Sequence, residues 1–127
     1  MNCFEKTITQ FIERCQLYYN YKVAVFINNQ PDLKYVKNVI QQKAKECLLV
    51  SSNVIKIKES FIYIFYPDRK VDLMFHAILC EKSIPESIMR NKVKPRIDVY
   101  DNGNGNQMLN PYLIRFEIGG ADDGENE

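Results

Sequence analysis

Side chains able to do chemistry are few in this chain, and they are scattered. His76 is the only histidine, and it stands inside the apolar run Met74-Phe75-His76-Ala77-Ile78-Leu79. A serine or cysteine nucleophile needs such a base, itself oriented by a carboxylate. The neighbouring sequence supplies no such arrangement, so a hydrogen-bonded core or rim histidine is expected. Cys3, Cys15, Cys47 and Cys80 contain no C-x-x-C pair, whereas a zinc site needs clustered ligands. They read as four buried free thiols in a reducing cytoplasm, with no metal.

Among the carboxylates, Glu81, Glu86, Asp98 and Asp101 are the ones to weigh. Asp98-x-x-Asp101 falls at an expected strand end beside a polar loop, where the acids of a metal-dependent nuclease could sit. Acidic residues at strand ends are also common without any role. Lys56, Lys58, Arg69 and Lys70 flank aromatic positions that include Tyr63 and Tyr66, and Lys92, Lys94 and Arg96 form a second basic group. Lysines interleaved with aromatics can hold a nucleic-acid strand by phosphate contact and base stacking. The same alternation also describes the solvated face of an ordinary sheet. Asn102-Gly103-Asn104-Gly105-Asn106 is not a phosphate cradle, because Met108-Leu109-Asn110-Pro111 follows it instead of a helix with Lys and Ser or Thr.

The elements that must position these groups follow from periodicity. Phe4, Ile8, Phe11, Ile12, Cys15 and Tyr19 recur at three and four, which predicts a helix over 4–19 that stops near Asn20. Lys22-Val23-Ala24-Val25-Phe26-Ile27 is a short apolar run typical of a strand covered on both faces. The turn Asn28–Asp32 feeds a helix over 31–46, with Pro31 in its first turn, Asp32 at the positive dipole end, and Leu33, Val36, Ile40 and Cys47 buried. Val54–Lys58 and Phe61–Tyr66 read as a hairpin turning at Glu59-Ser60. Leu73 to Cys80 is a further strand, with a short helix as its rival. Ser83 and Glu86 make a capping box for a helix from Ile84 to about Lys92. Pro95–Tyr100 and Tyr112–Ile118 complete the strands, and 119–127 is expected to be a disordered acidic tail.

Together these predict a single α/β domain over 1–118. A mixed sheet of about four to six strands, with a β-hairpin, packs against two or three helices in a three-layer arrangement. A chain of 127 residues, 46% apolar and 26% charged, suits one core. Lys plus Arg is 17 and Asp plus Glu 16, so any attraction to nucleic acid must be local rather than global. No apolar run reaches the roughly 20 residues of a membrane span, and the N-terminal residues lack a signal-peptide pattern. Richness in Ile, Lys, Asn and Tyr suggests an AT-rich genome such as that of a phage, a virus or a low-GC bacterium.

The order of elements resembles the ATPase half of the large terminase subunits of tailed phages and herpesviruses. The residues that carry this are Lys6-Thr7 opening a helix, the hairpin Val54–Phe65, and Ala77-Ile78-Leu79-Cys80-Glu81 followed by Ser83-Ile84-Pro85-Glu86. The resemblance implies that Lys6 and Thr7 match the phosphate-binding pair, that Glu81 matches the carboxylate activating water, and that Leu113–Ile118 matches the next core strand. The chain departs from that pattern at Glu5, where the loop glycine belongs, and at Cys80, where the magnesium-anchoring Asp belongs. The strand before the loop would have to precede Met1. A degenerate relative is implied, without ATPase activity of its own.

Three function classes result. The favoured one is a non-catalytic cytoplasmic accessory protein of a phage, virus or mobile element, which binds another protein and needs no cofactor. The second is a nucleic-acid binder using Lys56, Lys58, Tyr63, Arg69 and Lys70. The third is an enzyme or degenerate nucleotide-binding domain using Glu81, Asp98 and Asp101, or Lys6 and Thr7.

Overall fold

The computed structural model describes residues 3–68, 73–101, 108–109 and 111–118, with only the backbone of Cys3, Asp101, Met108 and Leu109. Helix α1 (Cys3–Leu17) leads into strand β1 (Lys22–Phe26), helix α2 (Gln30–Lys43), and strands β2 (Leu48–Ser51), β3 (Val54–Ile57), β4 (Ser60–Phe65) and β5 (Ala77–Glu81). A short helix α3 (Glu86–Ile88), a π-helical turn Met89–Val93 and a 3₁₀ turn Lys94–Arg96 follow. Strands β6 (Tyr100–Asp101), β7 (Met108–Leu109) and β8 (Tyr112–Phe116) close the described chain.

Six strands form one mixed sheet in the order β2-β3-β4-β1-β5-β8. β1 lies parallel to both β4 and β5, and β5 lies parallel to β8. β2, β3 and β4 pair antiparallel. This is the α/β single domain with a mixed sheet and a hairpin that the sequence pattern predicts.

The continuous apolar strands are buried on both sides, as their composition requires. Val23 and Val25 of β1, Ile55 and Ile57 of β3, Ile62 and Ile64 of β4 and Leu79 of β5 point to one face. There they meet Phe4, Ile8, Phe11, Ile12 and Cys15 of α1 and Val36, Val39 and Ile40 of α2. Ala24, Phe26, Phe65, Ile78 and Cys80 point to the other face, under Phe75, Ile84 and Val93. Among the described residues this second cover packs on β1, β4, β5 and, at Leu113, β8.

Asn29 caps α2, accepting from the Asp32 N–H at 3.2 Å, and Pro31 sits in the first turn. Asn20, just past α1, takes φ 59°, which asparagine tolerates. Buried Ser60 ties the α1–β1 connection to the hairpin. Its hydroxyl donates to the Tyr18 carbonyl at 2.6 Å and accepts from the Tyr21 N–H at 2.9 Å.

Several expectations need correction. Tyr19 lies beyond α1 and is 72% exposed, because the helix ends at Leu17. Cys47 is half-buried ahead of β2 rather than on α2, and Val39 supplies the missing part of the buried stripe. The hairpin turns at Lys58-Glu59, since Ser60 already pairs with Ile57. In the 73–80 run the ladder to β1 begins only at Ala77, and Phe75 makes a single bridge to Ile97. Ser83 and Glu86 make no capping box. Pro85 holds extended ψ 147°, the helix starts at Glu86 without a side-chain cap, and the Ser83 hydroxyl accepts from Asn28 instead. Pro95 and Arg96, expected at the start of a strand, lie in the 3₁₀ turn Lys94–Arg96. Pro95 lacks the N–H that a continuing α-helix needs. The expected tail 119–127 and the loop 102–107 lie outside the described residues.

Candidate functional site

Two places in the fold bring polar or apolar groups together without a full cover. One is the crevice at the C-terminal ends of the parallel strands. The chain leaves β1 into α2 on one face and leaves β5 toward Ile84 and Val93 on the other. The gap between β1 and β5 is therefore a topological switch point, where open α/β sheets gather ligands. Glu81, at the end of β5, is 8% exposed and accepts the Asn28 N–H at 3.0 Å. The Asn28 side chain donates across the gap to the Ser83 carbonyl and hydroxyl, both at 3.3 Å.

Burial, then the neighbouring Asp32 carboxyl, push Glu81 up to about 7, against the pull of the Asn28 N–H. Asp32 Oδ2 is buried and has no hydrogen-bond partner among the described residues. A protonated Glu81 can donate a hydrogen bond to the Asp32 carboxyl beside it. The Arg115 guanidinium donates to the carbonyls of Glu81, Lys82 and Ile84 and fixes the turn out of β5. Beside it, a cavity of about 370 Å³ is lined by Asn28, Tyr66, Pro67, Asp68, Ile88 and Lys92.

The other candidate catalytic positions are not assembled there. Asp98 is exposed, and its Oδ1 accepts the Val99 N–H at 2.9 Å. Its own N–H donates to the Phe75 carbonyl, just before β5, so it stands at the opposite end of that strand from Glu81. Asp101 lies in β6, beyond Tyr100. Lys6 is exposed and Thr7 half-buried within α1. His76 lies between the rings of Tyr21 and Tyr100, at 5.6 and 5.1 Å, and burial lowers its pKa. Burial pushes the Cys15 thiol up to about 12 and the Cys80 thiol up to about 11, so neither is a ready nucleophile. Among the described residues no group of three or more His, Cys, Asp and Glu could hold a metal ion.

The second place is the sheet edge. Among the described residues β2 pairs only with β3, and its four residues are all exposed: Leu48 at 63%, Leu49 at 44% and Val50 at 53%, then Ser51. Its ladder is interrupted at Val50, between the pairs Leu49↔Ile55 and Ser51↔Val54. An edge strand presents backbone N–H and C=O groups outward, and proteins usually blunt it with Lys, Pro or charge. β2 carries a bulge but no charged residue and no proline.

The predicted basic residues divide. Lys56, Lys58 and Tyr63 are on the β3–β4 hairpin, with Lys58 at φ 53° in the turn. Arg69 and Lys70 lie outside the described residues. Sequence reasoning did not find β2, nor the meeting of Glu81 with Asn28 and Asp32. The signal for β2 was Leu48-Leu49-Val50 before Ser52-Asn53, an apolar run closed by turn residues. Among the described residues no helix is long and apolar enough to cross a membrane. No protein-family model matches the chain, and neither a curated protein nor a solved structure matches it.

Proposed function

We propose that this chain is a non-catalytic accessory protein, and that it acts by accepting an extended segment of another protein as an added strand on β2. The observation that carries this reading is the edge itself. Three consecutive apolar side chains are about half exposed or more on an uncharged strand that has one partner among the described residues. Fully burying one such side chain contributes about 1.5–3 kcal/mol, and roughly half of that remains to be gained here. Three together offset only the lower part of an association cost of about 4–15 kcal/mol. The main-chain hydrogen bonds of strand addition must supply the rest, which suits a reversible, moderate-affinity contact.

A different protein is favoured over a second copy of this chain. Two four-residue strands, each interrupted at Val50, would form a short and poorly registered antiparallel ladder. The structural commitments of Glu81 and Asp98 support a non-catalytic role, as do the buried thiols. The composition supports a source with an AT-rich genome, in keeping with a phage, virus or mobile element. The test is affinity capture from nuclease-treated lysate of the native source, comparing the wild type with Leu49→Lys. A protein retained by the wild type and lost by the variant supports the reading. Equal retention by both, or retention of no protein by either, contradicts it.

A further inference from the structure

Opposite α1 and α2, part of the sheet is left uncovered by the described residues, and the register places a defined set of side chains there. Phe61 of β4 stands directly between Lys56 of β3 and Lys22 of β1. Leu48 of β2 extends the same row beyond Lys56. In the next row on this face, Tyr63 stands between Val54 and Ala24. Side chains alternate along a strand, so all of these share the face of Ala24, Phe26 and Phe65. Phe26 and Phe65 are buried under Phe75, and the Tyr63 ring also meets Phe75 at 5.5 Å, whereas Tyr63, Lys22, Lys56 and Phe61 keep part of their surface open and are only half-buried.

The aromatic pair is held firmly. The rings of Phe61 and Tyr63 lie 6.1 Å apart, and Tyr63 stacks on Phe65 at 5.8 Å and 20°. β4 is a central strand, flanked by β3 and β1, so this platform cannot slide. The two lysines flank Phe61 at a backbone separation of two strand spacings, about 10 Å.

We infer that this face binds single-stranded nucleic acid, with unpaired bases on Phe61 and Tyr63 and backbone phosphates at Lys22 and Lys56. Charge complementarity selects this occupant. An apolar protein surface laid here would take the Lys22 and Lys56 ammonium groups out of water with at most the Glu59 carboxylate to offset them, whereas a polyanion pairs with both. Stacking requires unpaired bases, which excludes duplex as the preferred form. The Glu59 carboxylate lies 3.9 Å from Lys56 Nζ and competes with a phosphate for it. This inference is independent of the partner at the β2 edge.

The experiment is fluorescence anisotropy of the full chain with labelled oligothymidine, oligouridine and a duplex of equal length, at low and at physiological salt. The expected result is saturable binding of the single strands, with the duplex at least about tenfold weaker. Neutralising two phosphates predicts a log–log salt slope of about −1.4. Lys22→Glu and Lys56→Glu should each weaken binding about tenfold or more, and Phe61→Leu, which keeps an apolar side chain in place, should do likewise by removing stacking. Glu59→Gln should strengthen binding. Lys34→Glu, on the exposed side of α2, should leave it unchanged. Thermal melts identify which variants keep the fold, and Glu59→Gln keeps the test decisive if the others lose it. Absence of saturable binding, equal affinity for duplex, or indifference to both Lys22→Glu and Glu59→Gln would overturn the inference.

Discussion

Leu49 and Ile55 face each other across the β2–β3 ladder, yet Leu49 is 44% exposed and Ile55 is completely buried. The boundary of the helical cover runs between these two strands. Ile55 packs with α1 and α2 in the main core, to which Leu49 does not belong. Replacing Ile55 by Ala should therefore cost about 2–5 kcal/mol of unfolding free energy. Leu49→Ser should cost under about 1 kcal/mol, as for surface positions generally. Urea unfolding of the two variants measures both, and similar losses would show that β2 is part of the core after all.

The Ser60 hydroxyl is a second sharp test of how the fold is held. It satisfies the Tyr18 carbonyl and the Tyr21 N–H at once in a buried position. Ser60→Ala should lower stability by about 1–3 kcal/mol, the cost of leaving such buried groups without partners. Ser60→Thr keeps the hydroxyl and adds a methyl group beside the chain, so it should recover part of that loss if the site has room. Equilibrium denaturation gives the comparison.

Lys58 occupies the hairpin turn at φ 53°, in the left-handed region that disfavours a residue with a Cβ. Lys58→Gly should relieve about 1 kcal/mol of that strain. A rise in the melting temperature is the expected reading, and a fall would mean that the lysine side chain contributes more than its backbone costs.

Glu81 makes stability depend on pH in a direction opposite to that of most carboxylates. Its folded-state pKa is raised to about 7 by burial and by Asp32. Between the ordinary carboxyl range and about 7 the folded chain holds a proton that the unfolded chain has released. That contribution is complete below the ordinary range and is lost as pH rises through about 7. Glu81→Gln keeps an acceptor for the Asn28 N–H and adds a permanent donor for Asp32, so it should flatten this slope and raise stability at alkaline pH. Parallel pH profiles of the melting temperature decide the matter, and identical slopes would contradict a proton held on Glu81.

What the sequence revealed depended on whether a pattern was local. β1 was legible because Val23 to Ile27 is continuously apolar, and α2 because Asn29, Pro31 and Asp32 mark its start. The hairpin showed itself by alternation around Lys56 and Phe61, though its turn was misplaced by one residue because neither Lys58 nor Ser60 is a usual turn former. β2 escaped because its apolar run looks like the tail of α2, and its exposure depends on where the helices stop. Glu81 meets Asn28 only because β1 and β5 pair in parallel, and Asp32 joins them from the start of α2. Lys22 and Phe61 likewise become neighbours only through the β1–β4 register. No spacing along the chain announces such contacts.

The central claim is that β2 receives an added strand from a protein partner. Amide hydrogen exchange over Leu48–Ser51, measured on the free chain and on the complex recovered by capture, tests it most directly. The account predicts fast exchange of the outward-facing β2 amides in the free chain and clear protection in the complex, with the amides of α1 and α2 unchanged. Unaltered exchange across β2 in a stable complex, with protection appearing elsewhere, would contradict it.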